Sequence, residues 1–93
     1  MIKSFGNALA GDLYNATPNR QLPSRLHRLG MRKLRYLDNA ANLNDLRVPP
    51  GNRLEKLAGD RKGQCSIRIN DQSRICFRWQ SGDAHDVTIV DYR

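Results

Sequence analysis

The strongest constraint on the fold is a pair of alternating segments, residues 64–70 and 74–79, which a short polar stretch separates. In both segments every second residue is apolar, and most of the residues between them are polar or basic. Because successive side chains of a β-strand point to opposite faces of a sheet, each segment would have one apolar and one cationic face. The two segments therefore predict an antiparallel hairpin.

The register of this hairpin follows from placing its apolar residues opposite one another. We expect Ile69 to pair with Ile75. Ile67 then lies opposite Phe77, and residues 71–73 form the turn. This arrangement places three arginines on the cationic face: Arg68, Arg74 and Arg78.

The last seven residues, 87–93, predict one more strand of the same sheet. Val87 and Ile89 continue the apolar face, so that Thr88, Val90 and Tyr92 share the side of the arginines. The sequence thus predicts a positively charged sheet face with a phenol at its edge.

Two helices are predicted in the first half of the chain. Asn7 caps a short helix over residues 8–14. A longer helix runs from about Arg20 or Pro23 to about Ala41. Apolar residues at steps of three and four form the stripe that should cover the sheet: Leu22, Leu26, Leu29, Leu37 and Ala40.

The opposite flank of the longer helix carries a row of basic residues: Arg25, Arg28, Arg32 and Arg35. Like charges at this spacing repel, so the row does not stabilise the helix. It is either a solvated helix face or a contact surface for structured RNA or an acidic partner. Gly30 is an internal weak point, which costs about 1 kcal/mol relative to alanine.

Shorter elements complete the predicted fold. Residues 1–5 are predicted to form a first strand, and residues 42–45 a break or short turn after the long helix. Residues 48–52 contain two prolines and a glycine and should form an extended loop. Residues 53–57 predict a short strand that leads, through a charged loop, into the hairpin.

The positive charge of the chain constrains its partners. Among 93 residues, 16 lysines and arginines against 9 acidic residues give a formal net charge of +7. A chain of this length forms one domain, which we place at residues 1–93. The charge favours a polyanion or an acidic protein as partner, with solubility alone as the plainer explanation.

The few cysteines and histidines do not form a known site. Cys65 and Cys76 fall on opposite faces of the predicted hairpin, where they cannot be bridged. His27 and His85 lack a second ligand at useful spacing, so we expect no metal and no cofactor. Two thiols without a disulfide pattern favour a reduced, cytosolic setting. We expect no signal peptide, and no run approaches the roughly 20 apolar residues that a membrane span needs.

The cationic face favours a phosphodiester site that uses no metal. Such a site needs positive charge where the phosphorane develops and groups that move protons. Arginine suits the first task, because it is always charged and binds phosphate oxygens in a fork. Arg74 is best placed for it, because it begins the central hairpin strand beside the loop. Tyr92 and Asp91 are candidates for proton handling, and Arg61 and Lys62 would add charge from the preceding loop.

Several of these segments together resemble the HigB toxins of the RelE/ParE superfamily of toxin–antitoxin modules. They are PPGNRLE at residues 49–55, LxGDRxG at 57–63, SIRINDQxRICFxW at 66–79 and the terminal VDY. The resemblance implies an α+β fold in which a small twisted antiparallel sheet of three to five strands packs against two N-terminal helices.

The resemblance also implies an activity and partners. It implies a ribosome-dependent endonuclease that cleaves mRNA in the decoding site, without metal, by attack of the 2′-hydroxyl. A helix-turn-helix antitoxin of the HigA type would neutralise this toxin, and the complex would bind operator DNA and repress its own operon. We accordingly expect no membrane partner.

Position by position, Arg74 resembles the phosphate-stabilising arginine of the family. Asp91 and Tyr92 resemble its C-terminal acid and phenol. Arg61 matches a basic residue of the loop that precedes the hairpin.

Two positions depart from the family pattern and predict slow cleavage. Ala58 stands where some relatives have a catalytic lysine, and Lys56 or Lys62 would have to replace it. Arg93 stands where many relatives have a histidine. Arginine can hold a phosphate there, but it cannot act as a base near neutral pH.

These departures leave two other functions open. One is a non-catalytic inhibitor that blocks DNA gyrase, as the ParE branch of the superfamily does. The other is an attenuated toxin that acts mainly as corepressor with its antitoxin.

Overall fold

The computed structural model describes residues 1–91. Over these residues the chain forms two α-helices and one antiparallel sheet with the strand order β1-β2-β3-β4. The elements are α1 (Ala8–Tyr14), α2 (Ser24–Asn39), β1 (Glu55–Lys56), β2 (Gln64–Arg68), β3 (Ser73–Gln80) and β4 (Asp83–Asp91). The predicted α+β fold, with a small antiparallel sheet against two N-terminal helices, is confirmed.

The β2–β3 hairpin forms, but the predicted register is wrong. Ile67 pairs with Ile75, in place of Ile69. A shift of two residues leaves every side chain on its predicted face, because side-chain direction alternates with a period of two. The basic side chains therefore stay together, and Arg68 lies directly opposite Arg74.

Asn70 explains the longer connection between the two strands. Its side-chain oxygen accepts hydrogen bonds from the backbone N–H groups of Gln72 and Ser73, at 2.9 and 2.8 Å. Asparagine stabilises turns in this way because its side chain replaces a backbone acceptor. The ladder consequently resumes at Ser73, earlier than predicted.

The cap of α1 is confirmed. The side-chain oxygen of Asn7 accepts a hydrogen bond from the backbone N–H of Ala10 at 3.1 Å. α2 begins directly after Pro23 and ends two residues before the predicted limit. Within residues 1–91, neither helix has the length and apolar character needed to cross a membrane.

The buried stripe of α2 differs from the predicted one at Leu29, which is 37% exposed. Leu34 is fully buried in its place, between Leu26 and Leu37. The stripe follows the 3.6-residue helical period, which carries it through Gly30 and away from position 29.

Gly30 has a packing function that sequence reasoning did not recognise. A Cβ atom at this position would lie 2.5 Å from Cδ2 of Leu13 on α1. The missing side chain therefore lets the two helices approach closely, which accounts for a residue that lowers helix propensity.

Residues 1–5 lie along β4 without forming a regular strand. They make two isolated parallel bridges, Ile2 to Ala84 and Phe5 to Val87. Helix α2 also holds Ile2 in place, because the backbone N–H of Ile2 donates to Oδ1 of Asp38 at 2.9 Å. The N-terminus thus covers the outer edge of the sheet.

The two cysteines are buried and are not joined by a disulfide. Cys65 lies opposite Phe77 on the apolar face, and Cys76 lies opposite Ser66 on the other face. Burial raises the pKa of the Cys65 thiol.

Replacing Tyr14 with Phe tests the connection between the helices. The Tyr14 hydroxyl donates to Oδ2 of Asp38 at 3.0 Å. We expect Tyr14→Phe to lower the free energy of unfolding by about 1 kcal/mol at neutral pH. The hydrogen bond to Asp38 and burial raise the pKa of Tyr14 above its ordinary value of 10.0. Because the folded-state pKa is the higher one, this contribution is present below about pH 10 and is lost as the pH rises through the raised pKa.

Urea unfolding at neutral and alkaline pH measures this difference. The matched control is Tyr36→Phe on α2, a half-buried tyrosine whose hydroxyl forms no hydrogen bond with residues 1–91. The interpretation is wrong if both variants lose the same stability, or if the Tyr14 effect persists unchanged above its raised pKa.

Candidate functional site

Arg74 is not on an open face, as its position on the predicted cationic surface suggested. It is 8% exposed, and its guanidinium extends across β2. Nε donates to Oγ of Ser66 at 2.8 Å, and Nη2 donates to the backbone oxygen of Arg53 at 2.6 Å. The side chain is therefore held in one orientation by contacts that include two neighbouring segments.

A carboxylate also lies beside this guanidinium. Nη1 of Arg74 is 3.8 Å from Oε1 of Glu55 on the edge strand β1. The Glu55 side chain is 57% exposed and that of Arg74 is 9% exposed, so solvent reaches the carboxylate end of this pair and not the guanidinium end.

The other arginines of this sheet face also have carboxylate partners. Arg68 pairs with Asp71 in the turn. Nε of Arg78 is 2.7 Å from Oδ2 of Asp86 on β4. The sheet face consequently carries less uncompensated charge than the alternation pattern implied.

The segment around Arg53, whose backbone oxygen accepts a hydrogen bond from Arg74, is held in place by a buried side chain. Asn52 is fully buried and donates to the backbone oxygens of Leu46 and Val48, at 3.1 and 3.3 Å. Arg53, the next residue, has a φ of 46° in the left-handed region. Such a conformation is costly for a non-glycine residue and persists only where its surroundings determine it. Here it directs the carbonyl of Arg53 toward Arg74.

Lys33 connects this segment to α2. Its Nζ donates to Oδ1 of Asn52 at 2.5 Å, and the residue is buried in the apolar stripe of the helix. Burial lowers the pKa of Lys33, and the charges of Arg32 and Arg68 lower it further. The positions of Arg74 and α2 are thus coupled through two buried polar side chains.

Sequence reasoning missed this network because its members appear ordinary in the sequence. They are Lys33, Asn52, Arg53, Glu55 and Ser66. The sequence did contain one indication of the network at Lys33. A cation among the apolar residues of an amphipathic helix needs a polar partner when the helix is packed.

The predicted basic residues in and beside the loop before β2 are exposed to solvent. Lys56, Arg61 and Lys62 are exposed, as is Ala58. Nη1 of Arg61 donates to Oε1 of Gln64 at 3.2 Å, which directs this side chain along the start of β2. The structure therefore places these cations along the edge of the sheet that contains Glu55.

Asp91 is not brought together with Arg74. It lies opposite Ser73 at the end of β4 and has the same parity as Ile89, so its side chain is on the helix side of the sheet. There it lines a small pocket with Leu9 and Pro23. Tyr92 and Arg93, the remaining predicted site residues, lie outside the described residues.

The arginine row of α2 lies on the surface of the protein. All four members are exposed: Arg25, Arg28, Arg32 and Arg35. They lie on the helix layer, whereas Arg74 lies on the face of the sheet that points away from the helices. The chain therefore has two separate basic regions.

Solved structures of other proteins share this fold. The chain is similar to a chain of the YoeB–YefM complex from Staphylococcus aureus, with a TM-score of 0.63 and 17% identity over 100% of this chain and 98% of that one. It is also similar to a YafQ mutant from E. coli, with a TM-score of 0.58 and 15% identity over 98% and 93% of the two chains. At these identities the likeness shows a shared fold, that of RelE-like toxins.

Sequence comparisons define the family. A model described as the RelE-like toxin of the type II toxin–antitoxin system HigB matches residues 3–93. The Vibrio cholerae toxin HigB-1 is 50% identical over 66 residues, which are 71% of this chain and 70% of that protein. A protein from Haemophilus influenzae is 34% identical over 67 residues, 72% and 66% of the two chains. The chain belongs to the HigB-like toxin family.

Replacing Asn52 tests whether the buried network holds the loop. We expect Asn52→Ala to lower the free energy of unfolding by about 2–4 kcal/mol, because the ammonium of Lys33 would lose its acceptor. The double variant Lys33→Met/Asn52→Leu should recover part of this loss, since it replaces the pair with apolar groups. Denaturant unfolding measures both.

The matched control is Asn44→Ala, an exposed asparagine whose side chain accepts from Arg47. It should change stability by less than about 0.5 kcal/mol. Equal losses at positions 44 and 52 would show that the buried link does not support the loop.

Proposed function

We propose that this HigB-like toxin is a ribosome-dependent endonuclease that cleaves mRNA without a metal and thereby inhibits translation and growth. The observation that carries the proposal is Arg74, an arginine held by hydrogen bonds to two segments and accompanied by an exposed carboxylate. A preorganised cation of this kind stabilises charge that develops on a phosphate.

The proposed reaction is a transesterification within the RNA. The 2′-oxygen loses its proton and attacks the adjacent phosphorus, and the 5′-oxygen of the next nucleotide leaves with a proton. The products are a 2′,3′-cyclic phosphate and a 5′-hydroxyl. Arg74 would stabilise the negative charge on the non-bridging oxygens of the phosphorane.

Tyr92 is proposed to move a proton in this reaction. Alternation along the last strand predicts its side chain on the side of Arg74. Asp91 is proposed to act through the strand, by holding the segment that carries Tyr92, because its own side chain lies on the helix side. It is a positioning residue in this proposal.

Further basic residues would hold the rest of the RNA. The proposed phosphate contacts are Lys56, Arg61, Lys62, Arg68, Arg78 and Arg93. Arg68 and Arg78 would exchange their carboxylate partners for phosphates. Counterion release from the phosphates would supply much of the affinity.

An antitoxin is the proposed protein partner. The family is that of type II toxin–antitoxin systems, and the S. aureus structure with the same fold is a YoeB–YefM complex. We propose an antitoxin of the HigA helix-turn-helix type, which would place the complex on operator DNA. We also propose that residues 1–93 act as one domain in the cytoplasm.

Arg74→Ala is expected to reduce cleavage of a reporter mRNA on purified ribosomes by about 100-fold or more. The readout is the mapping of new 5′ ends. Because Arg74 is buried, the assay must run below the melting temperature of the variant, as measured by circular dichroism. The matched control is Arg47→Ala, an exposed arginine outside the sheet that should leave cleavage unchanged.

Other outcomes favour other functions. The internal pairing of all three sheet arginines with carboxylates is what a non-catalytic inhibitor would also show. Growth arrest with intact mRNA and double-strand DNA breaks would indicate gyrase inhibition. No growth arrest at all would indicate a corepressor. Full cleavage by the folded Arg74→Ala protein would remove the assigned site.

Glu55→Gln is expected to raise the cleavage rate about two- to tenfold, because it removes the carboxylate that competes with phosphate for Arg74. The control is Asp60→Asn, which removes an exposed charge from the neighbouring loop that forms no ion pair within residues 1–91. Equal effects of the two variants would show a general change of charge instead of release of Arg74. A lower rate for Glu55→Gln would contradict the proposed exchange.

A further inference from the structure

A groove of about 810 Å³ lies between α1, the segment that follows it and the solvent side of α2. Apolar residues form its floor: Leu13, Leu22, Met31 and Tyr36. Leu13 and Leu22 belong to the core, and Met31 and Tyr36 are half-buried. The groove therefore joins the core to the solvent through an apolar surface.

The rim of this groove is basic and uncompensated. Arg28, Arg32 and Arg35 line it, and no carboxylate within residues 1–91 forms an ion pair with any of them. The one acidic residue of the lining, Asp12, accepts a hydrogen bond from Asn19 at 2.8 Å. This contrasts with the sheet face, where each arginine has a carboxylate partner.

The dimensions of the groove fit a helix. Its lining along α2 extends from His27 to Asn39, a distance of roughly 18 Å at 1.5 Å per residue. This length corresponds to about three helical turns. A partner helix with apolar residues at i, i+4 and i+7 would fill the floor, and acidic residues on its flank would meet the arginines.

The combination of floor and rim favours a protein over RNA. Phosphates would engage the arginines but would leave the apolar floor without a partner. An acidic amphipathic helix would satisfy both, and the charge would also accelerate its association. The groove lies on the helix layer, so a helix bound there would leave the sheet face of Arg74 uncovered.

We propose that this groove is the docking site for an acidic amphipathic helix of the antitoxin. The inference rests on the proposed toxin–antitoxin function. It adds the surface, the chemistry of the partner segment, and a mode of binding that is spatially separate from Arg74.

The test uses the full chain and a fluorescein-labelled synthetic helix of about 16 residues, with leucines at i, i+4, i+7 and i+11 and glutamates on one flank. Fluorescence anisotropy should show micromolar binding by the unaltered chain. Arg32→Glu, a reversal of charge on the rim, and Met31→Gln, a polar change of the floor, should each weaken binding about tenfold. A peptide with lysines in place of the glutamates should not bind.

The matched control is Arg47→Glu, the same charge reversal at an exposed arginine that does not line the groove. It should bind the peptide as the unaltered chain does, and circular dichroism should show equal melting temperatures for all variants. Loss of binding at Arg47→Glu equal to that at Arg32→Glu, or no binding of the acidic peptide, would overturn the proposal. So would a single-stranded RNA that binds the groove more tightly than the peptide.

This assay involves no cleavage, so its result is independent of the endonuclease test. Peptide binding by a chain that does not cut mRNA would remove the proposed activity and leave the docking site in place. Cleavage by a chain that does not bind the peptide would do the opposite.

Discussion

The candidate site depends on the hydrogen bonds that the buried guanidinium of Arg74 makes. This guanidinium joins β3 to Ser66 on β2 and to the backbone oxygen of Arg53. A charged group can be buried in this way only when hydrogen bonds replace its hydration. Ser66 and the backbone oxygen of Arg53, a residue in the left-handed conformation, supply them, and the exposed Glu55 lies further away at 3.8 Å. The loop before β1 is therefore part of the candidate site and not merely a connection.

The distribution of compensated and uncompensated charge separates two surfaces of the toxin. On the sheet, Arg68, Arg74 and Arg78 have carboxylate partners within the molecule, so RNA must exchange with those carboxylates. On α2, the arginine row has no ion-pair partner in the described part of the chain. An unpaired row of like charges does not stabilise a helix, and we propose that its partner is supplied from outside. The two surfaces thus correspond to different proposed ligands.

The packing between helices and sheet shows why particular local predictions were confirmed and others were wrong. The cap at Asn7 and the alternation in β2 and β3 depend on neighbours in the chain, and both were recognised. The register of the hairpin depended on the turn formed by the side chain of Asn70, which pairs Ile75 with Ile67 in place of Ile69. Gly30 was interpreted as a weakness, because its benefit comes from Leu13 on another helix.

The sequence by itself determined the fold class, the faces of the sheet and the family, because alternation, helical period and the quoted motifs are properties of adjacent residues. It also placed the three sheet arginines on one face, which the two-residue shift of register preserved. Only the tertiary structure decided that Arg74 is buried and that Asp91 lies on the helix side of the sheet. It alone connected Lys33 to Asn52, 19 residues apart, and formed the groove beside the arginine row. These features depend on contacts between distant segments, which no local pattern encodes.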